Sequence, residues 1–386
     1  MQLQLPEPSA DAISASRALQ TLIANDIRHN SGWISFARFM ELALYAPSLG
    51  YYSGGATKIG KDGDFTTAPE ITPLFGQTLA HVAAELMGKT APQIIEFGAG
   101  TGTLARDILT ELAAMNVPVH RYSIVELSGE LRARQKNALR GFPQVTWLDQ
   151  FPAAFSGVVI GNEVLDAMPA HLVVKTGQGW KERGIGLAPK KFVYRDRPCE
   201  PWLIEQIPQT ELLPVGYLTE VHPISISFMK SLAEIMCAGY ESTSQGAAAI
   251  LIDYGFPAHE YYLAQRSQGT LMCHYRHHAH DDPLYLPGLQ DITAHVDFTA
   301  IARTAIEGGL DLLGYMSQAA FLLEAGIGDL LLRTLPTDRL RYLPQANAVQ
   351  KLTSPAEMGE LFKVLVVGKN VQLPAKFDRS DRSHRL

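Results

Sequence analysis

Three glycines stand at alternate positions in the segment EFGAGTG, which runs from Glu96 to Gly102. The apolar run before the segment predicts a β-strand, and the apolar spacing of LARDIL after it predicts an α-helix. A strand-to-helix turn whose residues lack side chains lets the backbone approach a ligand closely. Gly98, Gly100 and Gly102 therefore predict a cradle for a nucleotide-like cofactor, which explains their spacing better than an ordinary tight turn does.

The glycine spacing also distinguishes between two classes of cofactor. Dinucleotide-binding turns favour a G-x-G-x-x-G pattern and hold a pyrophosphate at the helix N-terminus. This chain has Thr103 at the last position of that pattern, and it has Glu96 just before the turn. A carboxylate at that place repels a pyrophosphate but suits the ammonium group of a methionine moiety. The segment thus favours S-adenosylmethionine, which carries no phosphate, over a nicotinamide dinucleotide.

Two further acids follow predicted strands in the same half of the chain. Glu126 ends the strand YSIV, and an acid at the end of a second strand can accept hydrogen bonds from both ribose hydroxyls. Asp149 follows the next strand, VTWL, where it could lie along the edge of the adenine ring. A solvent-facing position for Asp149 is also compatible with the sequence.

The segment GNEVLDAMP, residues 161–169, follows a predicted fourth strand. Ligands in open α/β sheets bind beyond the carboxyl ends of the strands, so this segment should line the site, with Asn162 next to the cofactor. Glu163 and Asp166 stand three residues apart, and one helical turn would bring their carboxylates to one face. Such a pair could grip two nitrogens of a guanidinium and align the third with a methyl donor. In the alternative interpretation Asn162 caps a turn and both acids are solvated.

Other candidates for substrate contact lie before and after this segment. Asp64, Phe65 and Glu70 belong to GDFTTAPE, at the end of a glycine-rich loop. The loop predicts either a lid over the cofactor, which would bring an acid to a basic substrate, or an Asp- and Thr-rich turn. Asp253 ends a predicted fifth strand and should reach the same edge of the sheet.

Histidines in the C-terminal half give two more hypotheses. His295 precedes a predicted helix and could assist deprotonation or substrate binding, although N-capping by Asp297 or Thr293 is the simpler role for this segment. The run HYRHHAHDD, residues 274–282, contains many possible metal ligands. Its spacing is irregular, which favours a polar loop without a metal.

The elements that would position these residues alternate between strands and helices from residue 92 onwards. This rhythm indicates βαβ units and a mostly parallel, Rossmann-like sheet of the α/β class. The predicted strands are 93–97, 122–126, 145–148, 157–161 and 247–252, and the predicted helices are 104–115 and 128–139. Two later strand-like runs, 269–275 and 362–368, should form an antiparallel hairpin that closes the sheet, with helices at 298–306 and 317–332 between them.

The sequence predicts three parts of the chain. Residues 1–90 predict a helical N-terminal region that contains the glycine-rich loop. Residues 91–369 predict the sheet-bearing domain, with an inserted antiparallel β segment around 171–245. Residues 370–386 are polar and predict a loose C-terminal tail.

Composition limits the classes of partner and location. The chain has 386 residues, a formal net charge of −6 and three cysteines without a CxxC pair. A mildly acidic protein has no general attraction for nucleic acid or for anionic membranes. The first residues lack the pattern of a secretory signal or a mitochondrial presequence, and no apolar run is long enough to span a membrane. We therefore predict a cytoplasmic protein without nucleic acid, membrane insertion or a metal, and a homodimer remains open.

Several long segments resemble one known family, the MidA-like S-adenosylmethionine-dependent methyltransferases, which include protein arginine methyltransferases of the mitochondrial complex I assembly factor type. The resemblance implies a class I methyltransferase fold, S-adenosylmethionine as methyl donor and an arginine of a protein as acceptor. By position it implies cofactor contacts for the three glycines and Glu126, and substrate contacts for Glu163 and Asp166. The absence of a presequence is typical of a bacterial member. The segments that carry the resemblance are YYSGGATKIGKDGDFTTAPEITPLFGQ, IIEFGAGTGTLARDIL, YSIVELSGELRARQ, GNEVLDAMPAHLV, IDYGFPAHEYY, GTLMCHYRHH and PGLQDITAHVDFTAIA.

Three other functions remain compatible with the residues: a small-molecule methyltransferase, a nicotinamide oxidoreductase, and a non-catalytic assembly factor that retains the cofactor fold. The glycine spacing and Glu96 argue against the oxidoreductase. The intact glycines and acids argue against loss of catalysis. The helical N-terminal region and the inserted strands favour a macromolecular acceptor over a small molecule.

Overall fold

The structure is a computed structural model that describes residues 5–54, 67–189 and 191–386. Its helices are α1 (Ala10–His29), α2 (Phe36–Tyr45), α3 (Ala68–Ile71), α4 (Pro73–Met87), α5 (Thr103–Ala114), α6 (Gly129–Ala138), α7 (Pro201–Ile204), α8 (Pro223–Thr243), α9 (Ala258–Tyr261), α10 (Phe298–Glu307), α11 (Gln318–Glu324), α12 (Ile327–Leu332) and α13 (Arg339–Thr353). Its strands are β1 (Ile34–Ser35), β2 (Gln93–Phe97), β3 (Arg121–Val125), β4 (Val145–Leu148), β5 (Val158–Asn162), β6 (His171–Thr176), β7 (Gly179–Ala188), β8 (Lys191–Pro198), β9 (Leu218–Val221), β10 (Ala247–Phe256), β11 (Met272–Tyr275), β12 (His278–His280), β13 (Asp291–Thr293), β14 (Val296–Asp297), β15 (Asp311–Ser317) and β16 (Phe362–Lys369). These elements form two units, which are described separately.

The second unit, formed by residues 67–164, Ser227–Pro257 and Val296–Leu386, is built on a largely parallel sheet. The strand order is β15-β16-β10-β5-β2-β3-β4, and the strands from β10 to β4 run parallel to one another. β16 is antiparallel to both β10 and β15. This arrangement confirms the predicted Rossmann-like sheet with an antiparallel addition from the C-terminal part.

The direction of the strand order reverses between β2 and β5, which are neighbours. From β2 the chain moves outward through β3 and β4, and from β5 it moves the other way to β10. The register pairs Phe97 with Gly161, so β2 and β5 end at the same edge of the sheet. Loops that leave such a reversal point separate and open a crevice for a ligand.

The strands of this sheet are apolar along most of their length because helices cover the faces of a parallel sheet. Ile94, Ile160 and Ile250 are fully buried in one cluster with Phe75 of α4 and Ile108 of α5. The same cluster contains residues of α11, α12 and α13. The parallel strands are thus a rigid base for the loops at their carboxyl ends.

The antiparallel strand at the end of the chain has a different partner from the predicted one. β16 agrees with the predicted run 362–368, but it pairs with β15, where the sequence predicted no element. β15 reads DLLGYMS, and a register shift between Leu312 and Gly314 breaks the alternation that would signal a strand. The run 269–275 instead contributes β11 to a separate sheet in the first unit.

The first unit comprises residues 5–54, Leu165–Ile226 and Ala258–His295 in the described part of the chain. Its larger sheet has the order β1-β7-β6-β9, with β8 on β7, and all of these pairs are antiparallel. The sheet confirms the predicted antiparallel insertion. Leu19, Ile23 and Phe39 of α1 and α2 share a buried cluster with Leu172 and Ile185 of the sheet.

The histidine-rich run forms a hairpin and not the polar loop that we predicted. β11 and β12 pair antiparallel on either side of Arg276 and His277. These two residues have φ of 47° and 63°, as in the two-residue turns whose twist suits a hairpin. Among the described residues, no group of three or more His, Cys, Asp or Glu side chains could hold a metal ion.

The two units do not follow the predicted boundary at residue 90. The described residues up to 54 belong to the first unit, whereas α4 belongs to the second. The reason is that Leu79 and Val82 of α4 are fully buried in the cluster that contains the parallel strands. The apolar face of a helix shows that it packs, but it does not show which sheet it packs on.

The C-terminal residues are packed, in contrast to the loose tail that we predicted. Phe377 is 1% exposed and stacks on Phe321 with ring centroids 5.2 Å apart. The Arg382 N–H donates to the Tyr315 carbonyl at 2.6 Å, and this bond holds the chain end on β15. The segment is thus held both by the buried Phe377 ring and by a backbone hydrogen bond to β15. No helix in the described ranges is long and apolar enough to cross a membrane.

Candidate functional site

The loop between β2 and α5 has the backbone conformation that only glycine adopts readily. Gly98, Gly100 and Gly102 have φ of 63°, 53° and 86°. The Gly98 N–H donates to the Val125 carbonyl at 3.1 Å, which ties the loop to the end of β3. A Cβ at Gly98 would lie only 3.3 Å from Cγ2 of Val164, so the turn after β5 packs directly on this loop.

The hydroxyl of Thr101 joins the glycine loop to α3. It donates to Oε1 of Glu70 at 2.5 Å and lies 2.8 Å from the Thr103 hydroxyl. The structure thus places Glu70 against the cofactor loop, whereas the sequence suggested contact with a basic substrate. Asp64 and Phe65, the other predicted lid residues, lie outside the described residues.

Glu126 follows β3 and accepts a hydrogen bond on each of its carboxylate oxygens. The Ser128 N–H donates to Oε1 at 2.9 Å, and Nε2 of Gln135 donates to Oε2 at 2.9 Å. Burial raises the pKa of Glu126, and these two hydrogen bonds counteract that rise by stabilising the charged form. A carboxylate has about four acceptor positions, so an aligned pair of hydroxyls can bind in addition.

The residue after Glu126 was not among the predicted site residues. Leu127 is 78% exposed beside the acid, where it presents an apolar surface suited to a purine ring. Leu127 lies in a segment that carries the family resemblance, but nothing in the sequence distinguished it from its neighbours.

Asp149 lies after β4, at the edge where the adenine was predicted. Nη1 of Arg132 donates to Oδ1 of Asp149 at 2.7 Å, while Nη2 donates to the carbonyls of Glu126 and Leu148, both at 3.1 Å. Arg132 thereby joins the ends of β3 and β4. The Asp149 side chain is 85% exposed, and its adenine contact stays a prediction.

Glu96 is buried in β2 and has a protein partner. The Tyr122 hydroxyl donates to Oε2 of Glu96 at 2.6 Å, and Glu96 is 2% exposed. Burial raises the pKa of Glu96 to about 7, opposed by the Tyr122 hydrogen bond and reinforced by the charge of Glu126. The predicted contact of Glu96 with a methionine ammonium stays a prediction.

The turn after β5 holds Glu163 in a strained backbone conformation. Glu163 has φ of 53°, which costs a non-glycine residue about 1–3 kcal/mol. Two hydrogen bonds stabilise the turn: the Glu163 N–H donates to the Ile252 carbonyl at 2.8 Å, and the Val164 N–H donates to Oδ2 of Asp253 at 3.1 Å. Asp253 is 1% exposed and helps to fix this turn, and its predicted contact with the substrate stays a prediction.

Asn162 ends β5 with its amide oriented by the neighbouring acid. Its Nδ2 donates to Oε1 of Glu163 at 3.1 Å, which turns Oδ1 the other way. That oxygen is buried and has no hydrogen-bond partner among the described residues. A buried acceptor without a donor costs about 1–3 kcal/mol, so a ligand with an N–H or O–H group is stabilised here.

These groups fit S-adenosylmethionine. Glu126 offers carboxylate oxygens to a pair of hydroxyls, Leu127 offers an apolar surface to a purine, and Asn162 offers a buried oxygen to an ammonium. The glycine loop allows close approach of the backbone. When bound, this cofactor supplies a sulfonium methyl group, which is electrophilic.

The other two predicted catalytic residues, Asp166 and His295, belong to the first unit. Asp166 is 4% exposed, and its carbonyl accepts from the Ala294 N–H at 3.0 Å, so the two segments lie side by side. The His295 N–H donates to the Thr270 hydroxyl at 3.1 Å. Glu163 lies in the second unit, and the pairing of its carboxylate with Asp166 stays a prediction, as does a catalytic role for His295.

Tyrosines of the first unit lie close to Asp166. The Tyr52 hydroxyl donates to Oδ1 of Asp291 at 2.9 Å, and the Tyr52 ring stacks on Tyr45 at 5.5 Å. Burial raises the pKa of Tyr52 well above its usual range, and the negative charges of Asp291 and Asp166 add to that rise. Tyr52 therefore stays a neutral hydrogen-bond donor near neutral pH.

The second unit combines a class I methyltransferase sheet with a glycine loop of left-handed backbone conformation after β2 and an acid after β3. This combination defines an S-adenosylmethionine-dependent methyltransferase. The sequence profile of the family described as "Putative S-adenosyl-L-methionine-dependent methyltransferase" matches residues 75–316. This chain belongs to that family.

Relatives and solved structures agree with this assignment. The chain is 28% identical to the human "Protein arginine methyltransferase NDUFAF7, mitochondrial", over 92% of this chain and 85% of the human one. It is 29% identical to the Caenorhabditis elegans homologue, over 86% of this chain and 82% of that protein. A Burkholderia thailandensis protein crystallised with S-adenosyl-homocysteine is 49% identical, covers 99% of this chain and 100% of its own, and superposes with a TM-score of 0.93. S-adenosylmethionine is therefore the cofactor of this enzyme.

Proposed function

We propose that this methyltransferase transfers its methyl group to a guanidino nitrogen of an arginine in a protein substrate. The observation that carries the proposal is the position of Glu163, a carboxylate residue at the carboxyl end of β5. The turn that begins there packs on the glycine loop through Val164 and Gly98. An acid is therefore held beside the cofactor loop at an energetic cost in backbone strain, which is typical of functional positions.

A carboxylate in this position suits a guanidinium better than other acceptors. The guanidinium is planar, stays charged near neutral pH and presents paired N–H groups that match the two oxygens of a carboxylate. A hydrogen-bonded carboxylate fixes the plane of the group, and the rate gain then comes from orientation and electrostatics. A neutral hydroxyl acceptor would require a strong base, a role for which a carboxylate is poorly suited.

The relatives support the same acceptor. The human, zebrafish and Caenorhabditis elegans proteins that align with most of this chain are all named protein arginine methyltransferases. Their alignments cover 82% or more of their own lengths, so the likeness extends beyond the cofactor loop. The acceptor is thus proposed to be a protein.

Mass spectrometry with an isotopically labelled donor tests this proposal. The full-length enzyme is incubated with trideuteromethyl S-adenosylmethionine and with soluble protein from cells that lack the enzyme. We expect peptides with deuterated methylarginine, and we expect their amount to fall about a hundredfold or more when Glu163→Gln replaces the wild type. Label that appears only on lysine, on glutamine or in the small-molecule fraction would contradict the proposal, as would the absence of any transfer by protein that binds the cofactor.

A further inference from the structure

Gln135 lies in the second half of α6. Its side chain is buried, and both its amide nitrogen and its amide oxygen have hydrogen-bond partners. It is 0% exposed. Its Nε2 donates to the Gly100 carbonyl at 3.0 Å and to Oε2 of Glu126 at 2.9 Å, and its Oε1 accepts from the Trp147 indole N–H at 3.0 Å. One amide therefore connects the glycine loop, the acid after β3 and the strand β4.

The chemistry of the partners fixes the orientation of this amide. Glu126 and the Gly100 carbonyl can only accept hydrogen bonds, while the indole can only donate one. A rotation of the amide by half a turn would place its oxygen against two acceptors and its NH2 against a donor. Because the side chain is fully buried, water cannot compensate such a mismatch.

The contact with Glu126 decides where the second carboxylate oxygen lies. Oε1 is held by the backbone N–H of Ser128, but Oε2 has Gln135 as its side-chain donor. Two fixed oxygens orient the carboxylate plane, and a fixed plane can present aligned acceptors to a pair of neighbouring hydroxyls. Without Gln135, Oε2 loses its side-chain donor.

The contact with Gly100 acts on the other side of the cofactor site. Gly100 has φ of 53°, and the hydrogen bond to its carbonyl holds that peptide in place. The backbone of α6 also lies against the loop, because a Cβ at Gly102 would be 3.4 Å from Cα of Gln135. The same side chain thus holds both the glycine loop and the Glu126 carboxylate in place.

We propose that Gln135 is the positioning residue of the nucleoside site: it aligns the Glu126 carboxylate and the Gly100 peptide for the bound cofactor, and Trp147 holds it in that orientation. Gln135 acts through these two groups and does not touch the reacting atoms. The proposal concerns cofactor binding and does not depend on the identity of the methyl acceptor.

The test compares two buried glutamines by titration of the full-length protein with S-adenosyl-homocysteine. Gln135→Met keeps the side-chain length but removes all three hydrogen bonds, and we expect affinity to fall about ten- to hundredfold. Gln318→Met is the matched control, since Gln318 is 0% exposed and its Nε2 donates to the Leu352 carbonyl at 2.9 Å on α13. The control should lower the melting temperature while affinity changes by less than about twofold.

A double-mutant cycle separates positioning from a purely structural role. If Gln135 acts by aligning Glu126, the effect of Gln135→Met should shrink to less than about threefold in the Glu126→Ala background. The KM for S-adenosylmethionine should rise while kcat is nearly unchanged, because the reacting groups are untouched. Trp147→Phe removes the indole donor but keeps an aromatic ring, and it should weaken binding by about two- to fivefold, which keeps the test valid if Gln135→Met folds poorly.

Two results would overturn this role. One is a folded Gln135→Met protein that binds S-adenosyl-homocysteine as tightly as the wild type. The other is an equal loss of affinity with and without Glu126, which would show that the two residues act independently. Neither result would bear on arginine as the acceptor, because no acceptor is present in the titration.

Discussion

The hydroxyl of Tyr122 donates a 2.6 Å hydrogen bond to Oε2 of Glu96, and both side chains are buried in the sheet of the second unit. Tyr122 lies on β3 and Glu96 on β2, so the pair joins neighbouring strands. Because burial raises the pKa of Glu96 to about 7, this carboxyl is partly protonated near neutral pH.

The first prediction is that this carboxyl makes stability depend on pH. The unfolded chain releases the proton near 4.5 and the folded chain only near 7, so the folded state binds more protons between these values. The free energy of unfolding should therefore fall as pH rises through this window, by on the order of 3 kcal/mol in total. Urea unfolding of Glu96→Gln across the same window should show a flatter pH dependence.

A second variant checks the cause of that pH dependence. Tyr122→Phe removes the hydrogen bond that lowers the Glu96 pKa, so the fall in stability should extend to higher pH. An unchanged pH profile in both variants would show that Glu96 is not the titrating group.

The second prediction concerns Asp253 and the strained turn. Asp253→Ala removes the acceptor of the Val164 N–H, and the turn at Glu163 should relax from its left-handed conformation. We expect the methyl transfer rate to fall about tenfold or more, since misplacement by a fraction of an ångström is costly in catalysis. Asp253→Asn keeps an acceptor and should retain more activity. A full rate in folded Asp253→Ala would exclude this positioning role.

The third prediction concerns Gly98. Gly98→Ala strains a backbone with φ of 63° and places a Cβ 3.3 Å from Cγ2 of Val164, which must move to make room. Titration with S-adenosyl-homocysteine should show affinity reduced by about tenfold or more. Gly32→Ala is the control, because Gly32 has φ of 83° but open space around its Cβ. It should cost stability alone, and equal losses of affinity in both variants would count against a specific role for Gly98.

The fourth prediction concerns the packed C-terminal segment. Phe377→Ala removes a ring that is 1% exposed and stacked on Phe321, and should lower the free energy of unfolding by about 3–5 kcal/mol. Leu340→Ala, at a leucine that is 89% exposed, should change it by less than about 0.5 kcal/mol. Chemical unfolding measures both, and similar values for the two variants would contradict the packing of this segment.

Local patterns sufficed for much of the sheet and for the cofactor loop. The predicted strands 93–97 and 145–148 coincide with β2 and β4, because short apolar runs bounded by turn residues have few alternatives. The glycine loop could be predicted because its left-handed φ values restrict the residue type. Asp297 caps α10 as expected, with its Oδ1 accepting from the Ala300 N–H at 3.2 Å.

Features that depend on long-range packing could not be read in this way. Gln135 ends one of the segments that carry the family resemblance, but no local pattern indicated its contacts, which follow from the face that α6 turns toward the glycine loop. Asp253 was predicted to face the substrate because it follows a strand, but no local pattern indicated that its Oδ2 accepts a hydrogen bond from the Val164 N–H in the turn after β5. β15 escaped detection because a bulge hides its alternation. The cytoplasmic location and the homodimer stay predictions, since neither the sheet nor the cofactor site bears on them.

The most direct test of the account is amino-acid analysis of protein labelled from methyl-tritiated S-adenosylmethionine by the wild type and by Glu163→Gln. We predict that the label is recovered as methylarginine with the wild type and falls about a hundredfold or more with the variant, while the variant keeps its affinity for S-adenosyl-homocysteine. Label recovered in any other amino acid, or undiminished methylarginine with Glu163→Gln, would contradict the account.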